Sequence, residues 1–192
     1  FDVITYEELV RANISSFGNG IQSIVGHYIV RYGTEEQKEK WLPKMSSGEI
    51  ITSIAMTEPG TGSDLQSVKT KAIRDGDDWV ITGQKVWTSL AEQSDWCFAL
   101  CRTDFEVRKH RGISCLLIPM NQPNIKIVPI KQMTGRSEFA EVFFDEARTS
   151  IENVVGPING GWKEDERGWI HGNEGARHWP QPLQRAVYRS DI

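Results

Sequence analysis

The chain has 192 residues, 39% of them apolar and 25% charged, with seven Trp and a formal net charge of −4. That length suits one domain, or one domain with an appendage, and the composition is that of a chain able to bury an ordinary core. The acidic balance argues against a basic nucleic-acid-binding domain, and a mean hydropathy of −0.42 with no apolar run near ~18 residues leaves no membrane-spanning helix.

The three cysteines, Cys97, Cys101 and Cys115, are odd in number and lack C-x-x-C spacing. They read as neither a disulfide framework nor a zinc site, and they suit a reducing compartment. The chain opens at Phe1 without a charged-then-apolar leader, so it reads as an internal piece of something longer in which no targeting signal can be read.

Residues 1–50 read as helical. Thr5-Tyr6-Glu7-Glu8 has capping-box spacing. After Gly18-Asn19-Gly20, the apolar residues Ile21, Ile24, Val25, Tyr28 and Ile29 form the stripe of an amphipathic helix that Gly33 ends. Thr34-Glu35-Glu36-Gln37 starts a third helix with a second capping box, and a break follows at Ser46-Ser47-Gly48.

From residue 50 the period falls to two. Strands are expected over 51–56, 67–74, 79–87, 96–102, 113–120, 125–130 and 138–144, with Asp75-Gly76-Asp77-Asp78 as a turn. Helices followed by short strands predict an α+β chain whose second part is an antiparallel barrel or sandwich, and argue against alternating βαβ units. The expected organisation is a partial helical domain over 1–50, a β-domain over 51–162, and a divergent, poorly ordered tail over 163–192.

The densest chemical signal is Met56-Thr57-Glu58-Pro59-Gly60-Thr61-Gly62-Ser63-Asp64. A glycine-rich loop at a strand end presents backbone amides and small hydroxyls to a ligand; the plain alternative is a tight turn. It is not a phosphate-binding P-loop, because no Gly-Lys-Ser/Thr follows. A second signal is Gly83-Gln84-Lys85-Val86-Trp87-Thr88-Ser89, an indole beside hydroxyls that suits a flat heteroaromatic ligand. The alternative is a core Trp, since Trp79 and Trp96 lie in similar patterns.

Together these segments resemble the acyl-CoA dehydrogenase family of flavoproteins. The resemblance runs from about Thr5 to Lys163 and includes Tyr32–Lys38, Trp41-Leu42-Pro43, Val142-Phe143-Phe144-Asp145, Val155-Gly156 and Gly160-Gly161-Trp162. It implies FAD held against the β-domain. Ile54, Met56 and Thr57 then line the isoalloxazine, with Thr57 donating to its pyrimidine edge, and Gly62 and Ser63 lie near the pyrophosphate and the acyl-CoA substrate. Trp87 covers the flavin and Ser89 supplies a hydroxyl near N5. Thr88, where the family usually carries an apolar residue, is counted with these cofactor contacts.

The reaction implied is α,β-dehydrogenation of an acyl-CoA thioester, with an electron-transfer flavoprotein or similar acceptor and a homo-oligomeric assembly. The expected compartment is bacterial cytoplasm or the mitochondrial matrix. The family's proton-abstracting glutamate belongs to a C-terminal helical bundle, which is expected to be missing here. Glu58 matches a loop glutamate and is no candidate base, so the chain alone is expected to be inactive. The alternative reading is a non-catalytic remnant or interaction module.

Other signals are weaker. His171, Glu174 and His178 could be spaced as metal ligands, but Gly172 and Gly175 undermine the helix that would align them, and no metal is expected. His27 and His110 read as surface or satisfied positions, and Cys97 and Cys101 as small core hydrophobes on one strand face. Arg108-Lys109-His110-Arg111 is either a solvated hairpin tip or a contact to CoA phosphates.

Overall fold

The computed structural model of the chain describes residues 2–14 and 19–162. The expectations for the tail over 163–192, including the His171, Glu174 and His178 spacing, lie outside the described residues.

Among the described residues three helices come first: α1 (Asp2–Arg11), α2 (Asn19–Tyr32) and α3 (Glu35–Ser47). The expected cap at Thr5 is corrected: helical backbone already begins at Asp2, and capping-box spacing marks a start only where the preceding chain leaves the helix. The second capping box is present as read. Gln37 N donates to Thr34 Oγ1 at 3.2 Å, and Thr34 N donates to Gln37 Oε1 at 3.1 Å. Gly33 separates α2 from α3, and a Cβ there would meet the Ile29 carbonyl oxygen at 2.6 Å. Gly48 closes α3 in left-handed backbone, φ 78°.

Eight strands follow among the described residues: β1 (Thr52–Ala55), β2 (Lys71–Asp75), β3 (Asp78–Ser89), β4 (Trp96–Arg102), β5 (Ile113–Pro119), β6 (Ile125–Ile130), β7 (Phe139–Ser150) and β8 (Val154–Val155). They form one sheet in the order β6-β7-β3-β1-β4-β5-β8, with β2 pairing β3 and β4 beside that path. The sheet folds over as a sandwich rather than closing into a barrel. The pairing is mostly antiparallel, as expected, with parallel exceptions at β4. β1 runs parallel to β4, with Ile54 opposite Phe98, because the chain between them makes the long crossover that parallel neighbours require. The strand expected at 67–74 begins only at Lys71, since Leu65–Ser67 form a 3-10 turn.

The alternation along β4 explains its nearly continuous apolar sequence. Cys97, Ala99 and Cys101 enter one core with Trp79, Ile81, Leu116, Ile118, Val142 and Phe144. Phe98 and Leu100 enter a second core with Val25, Ile29, Trp41 and Met45 of the helices. A strand buried on both faces has no polar side to show. The helical core is ring-rich: Tyr28 stacks on Phe98 at 4.9 Å, and Trp41 meets Trp96 edge-on at 4.5 Å. The cysteines are core residues, as expected, and burial pushes the Cys97 thiol up to about 11 and the Cys101 thiol to about 12.

Two glutamines fasten the helices to the sheet. Gln22 Oε1 accepts from Thr52 N at 2.9 Å and from Thr52 Oγ1 at 2.7 Å, and its amide donates to the Ile50 carbonyl. Gln37, besides capping α3, donates to the carbonyls of Glu152 and Val154 at 2.7 and 2.8 Å. The start of β1, and hence the loop that follows it, is therefore set by the helical layer.

Candidate functional site

β1 delivers the chain into the glycine-rich loop. Glu58 N donates to Thr61 O at 3.3 Å and Thr61 N to Glu58 O at 3.0 Å, so Pro59 and Gly60 occupy a tight reversal. The turn reading holds for that part of the loop. It does not explain the glycines, because a Cβ on Gly60 or Gly62 would meet no atom of the chain within 4 Å. Ser63 beside them is exposed. Asp64 accepts from Ser67 Oγ and, at 3.3 Å, from Lys109 Nζ, and these contacts, the Ser67 hydroxyl foremost, hold its carboxyl below the usual range.

The second segment lies on β3, alongside the first. Ile54 of β1 stands opposite Ser89 of β3, so their side chains share a face. Three residues on, Val86 N donates to Thr57 O at 2.9 Å. The structure thus brings Ile54, Met56, Thr57, Trp87 and Ser89 to adjoining segments. Ile54 and Met56 are half-buried against the helical core. The Thr57 and Ser89 hydroxyls have no hydrogen-bond partner among the described residues.

Trp87 is the unusual residue. It is 56% exposed, whereas Trp79 is 5% exposed, so the core-Trp alternative does not apply to it. Between the pairs Lys85↔Val142 and Thr88↔Ala140, β3 carries two residues and β7 one. This is a β-bulge, a device common beside active sites because it re-aims a side chain. Trp87 sits in it with φ 60°, left-handed backbone that a bulky residue rarely adopts. Its ring meets Phe139 edge-on at 6.2 Å. Thr88, next along the pleat, is fully buried. Strand alternation turns its side chain inward while Trp87 faces out.

Sequence reasoning missed what holds these segments together. Lys85 Nζ, fully buried, donates to Met56 O at 3.0 Å and Glu58 Oε1 at 2.9 Å. Glu58 also accepts from Lys69 N at 2.7 Å and Thr70 N at 2.8 Å. Burial works against the Glu58 charge, but Lys85 and the two amides outweigh it, and the carboxyl stays below its ordinary range. A carboxylate so committed is a poor proton acceptor. Thr70 packs directly on Gly83, where a Cβ would lie 2.6 Å from the Thr70 Cα.

Beyond Ser63, an open cavity of about 530 Å³ is lined by Ser67, Val68, Lys69, Arg102, Phe105, Val107 and Lys109. Arg102 is spent on structure: it donates to the carbonyls of Val68 at 2.9 Å, Gln66 at 2.7 Å and Lys109 at 2.9 Å. Lys109 also reaches Ser67 Oγ at 2.6 Å. His110 is buried rather than at a solvated tip, and His27 Nδ1 is satisfied by the Ser23 carbonyl at 2.7 Å.

Comparison with known proteins agrees with this geometry. Residues 1–49 match the family model "Acyl-CoA dehydrogenase, N-terminal domain" and residues 53–147 the model "Acyl-CoA dehydrogenase, middle domain". The chain is 46% identical over 165 residues to acyl-CoA dehydrogenase IpdE1 of Mycobacterium tuberculosis, covering 84% of this chain and 42% of that one. It is 39% identical over 163 residues to the mouse mitochondrial long-chain specific acyl-CoA dehydrogenase, covering 83% and 38%. Among solved structures it superposes on the Tcur3481-Tcur3483 steroid ACAD with a TM-score of 0.69 at 44% identity, covering 71% and 35%. The chain therefore spans less than half the length of these relatives. Across that span, both matched domains and the fold place the chain in the acyl-CoA dehydrogenase family.

Proposed function

We propose that this chain forms the flavin-facing part of an FAD-dependent enzyme that introduces an α,β double bond into acyl-CoA thioesters. The observation that carries the reading is the outward Trp87 in its left-handed bulge, beside the unpartnered hydroxyls of Thr57 and Ser89. A flat heteroaromatic ring fits such a surface: the indole offers a face, Ile54 and Met56 offer apolar contact, and the hydroxyls offer edge donors. FAD bound there supplies the acceptor for the β-hydride of the thioester. Thr57 and Ser89 act as fixed dipoles at the ring edge, aimed before the reaction begins. Gly62 and Ser63 leave the loop open to the pyrophosphate and the thioester, and the neighbouring Lys69 and Lys109 offer cations to CoA phosphates. Glu58 moves no proton, and the α-proton falls to a carboxylate outside the described residues.

The similarity to a solved steroid ACAD makes steroid-derived thioesters the first substrate class to test. An electron-transfer flavoprotein or a similar acceptor would reoxidise the flavin of the homo-oligomer. The bacterial and mitochondrial relatives support a cytoplasmic or matrix location; no helix among the described residues is long and apolar enough to cross a membrane.

Ser89→Ala tests the ring-edge assignment with little risk to the fold. Titrating FAD into both proteins should show a loss of about 0.5–1.5 kcal/mol of binding, the usual worth of one hydrogen bond. Equal affinities and identical flavin spectra would remove Ser89 from the site.

A further inference from the structure

Two segments of the site are tied by consecutive contacts. Lys85 Nζ holds Met56 O, Val86 N holds Thr57 O, and Lys85 Nζ returns to the Glu58 carboxylate. Three consecutive residues of the loop are thus fixed by two consecutive residues of β3, immediately before Trp87. The second carboxylate oxygen of Glu58 extends the tie to Lys69 N, and Oε1 also takes Thr70 N. Both charges are almost fully withdrawn from water, with side-chain exposures of 0% for Lys85 and 5% for Glu58.

A buried ion pair is a poor way to gain stability, since an apolar pair of similar volume often does as well. Left-handed backbone at a bulky residue persists only where its surroundings over-determine it. We infer that Lys85 and Glu58 are positioning residues, which hold the 56–58 segment against the bulge and so keep Trp87 turned outward as a flavin-covering ring. The inference rests on the flavin reading above. Neither side chain touches the ligand; both act through the backbone of Met56, Thr57 and Val86.

The test uses Lys85→Met, which keeps length and loses charge, the double variant Lys85→Met/Glu58→Gln, and Thr149→Val as a control. Thr149 Oγ1 donates to the Leu117 carbonyl at 2.6 Å in the opposite part of the sheet. Amide exchange followed by mass spectrometry on the chain without FAD should rise about tenfold or more over 56–58 and 85–89 in Lys85→Met, and stay unchanged over 96–102 and 113–119. FAD affinity, measured at a temperature where circular dichroism shows every variant folded, should fall about tenfold or more. The double variant should regain the melting temperature lost by Lys85→Met, because no buried charge is left unpaired, without regaining FAD affinity. If Lys85→Met alone does not fold, the double variant carries the same comparison. Thr149→Val should lower the melting temperature while keeping FAD affinity within about twofold.

An exchange increase spread evenly over the sheet would overturn the inference, as would an affinity loss that merely follows melting temperature in all variants. Localised exchange with unchanged FAD affinity would also overturn it. Absence of FAD binding by the parent chain would sink the flavin reading instead, and the exchange pattern would then decide the positioning claim by itself.

Discussion

At Glu58 two physical effects oppose each other. Withdrawal from water disfavours its charge, while Lys85 at 2.9 Å and the amides of Lys69 and Thr70 favour it, and the net result is a carboxyl held below its usual range. A carboxyl with a lowered folded value stabilises the fold at all pH above its unfolded pKa of about 4.3. That contribution drains away as pH falls below this value and through the folded one. Denaturant unfolding followed from pH 7 to pH 3 should therefore show stability dropping below about pH 4, with a flatter acid limb in Glu58→Gln. At neutral pH the same variant should be less stable by about 3–5 kcal/mol, as when one partner of a buried pair is removed. Parallel acid limbs in the two proteins would contradict this account of Glu58.

The element that organises the site is β3. Its first half pairs β2 through a two-residue turn, Gly76-Asp77, and its second half carries the bulge. Gly83 stands between these halves because Thr70 crosses it closely. Gly83→Ala should force the two backbones apart at a cost of roughly 1–3 kcal/mol, the range for overpacking, measurable as a lower denaturant midpoint; an unchanged midpoint would mean the contact relaxes freely. The same strand shows what a sequence can and cannot disclose. The cap at Thr34 and the extents of β4 and β6 are local matters, set by residues a few positions apart, and were legible. Period-two alternation reveals which residues share a face but not strand direction, so the parallel β1–β4 pair was not. The extension of β7 past Phe144 was hidden by Asp145 and Glu146, where a second bulge with φ 59° at Glu146 interrupts the alternation. The Glu58–Lys85 pair joins residues 27 positions apart, and no periodicity announces such a partner. Trp87 and Trp79 looked alike in sequence; the bulge alone turns one out and leaves the other in the core.

Across the whole molecule, apolar side chains remain exposed on the helical side. Val3, Ile4, Tyr6 and Val10 of α1 and Ile24 and Val30 of α2 are all more than 40% exposed. Such a surface drives association, so sedimentation velocity on the 192-residue chain should show concentration-dependent self-association. A sharp monomer across the concentration range would contradict this.

The flavin face itself is tested most directly at Trp87. Flavin emission should be quenched when FAD is added to the chain, because an indole lying on the isoalloxazine provides a quencher in contact with it. Trp87→Leu keeps an apolar side chain at an exposed position and should largely abolish that quenching, while circular dichroism shows the sheet intact. Equal quenching by the parent and by Trp87→Leu, or no perturbation of FAD by either, would contradict the placement of the flavin against this bulge.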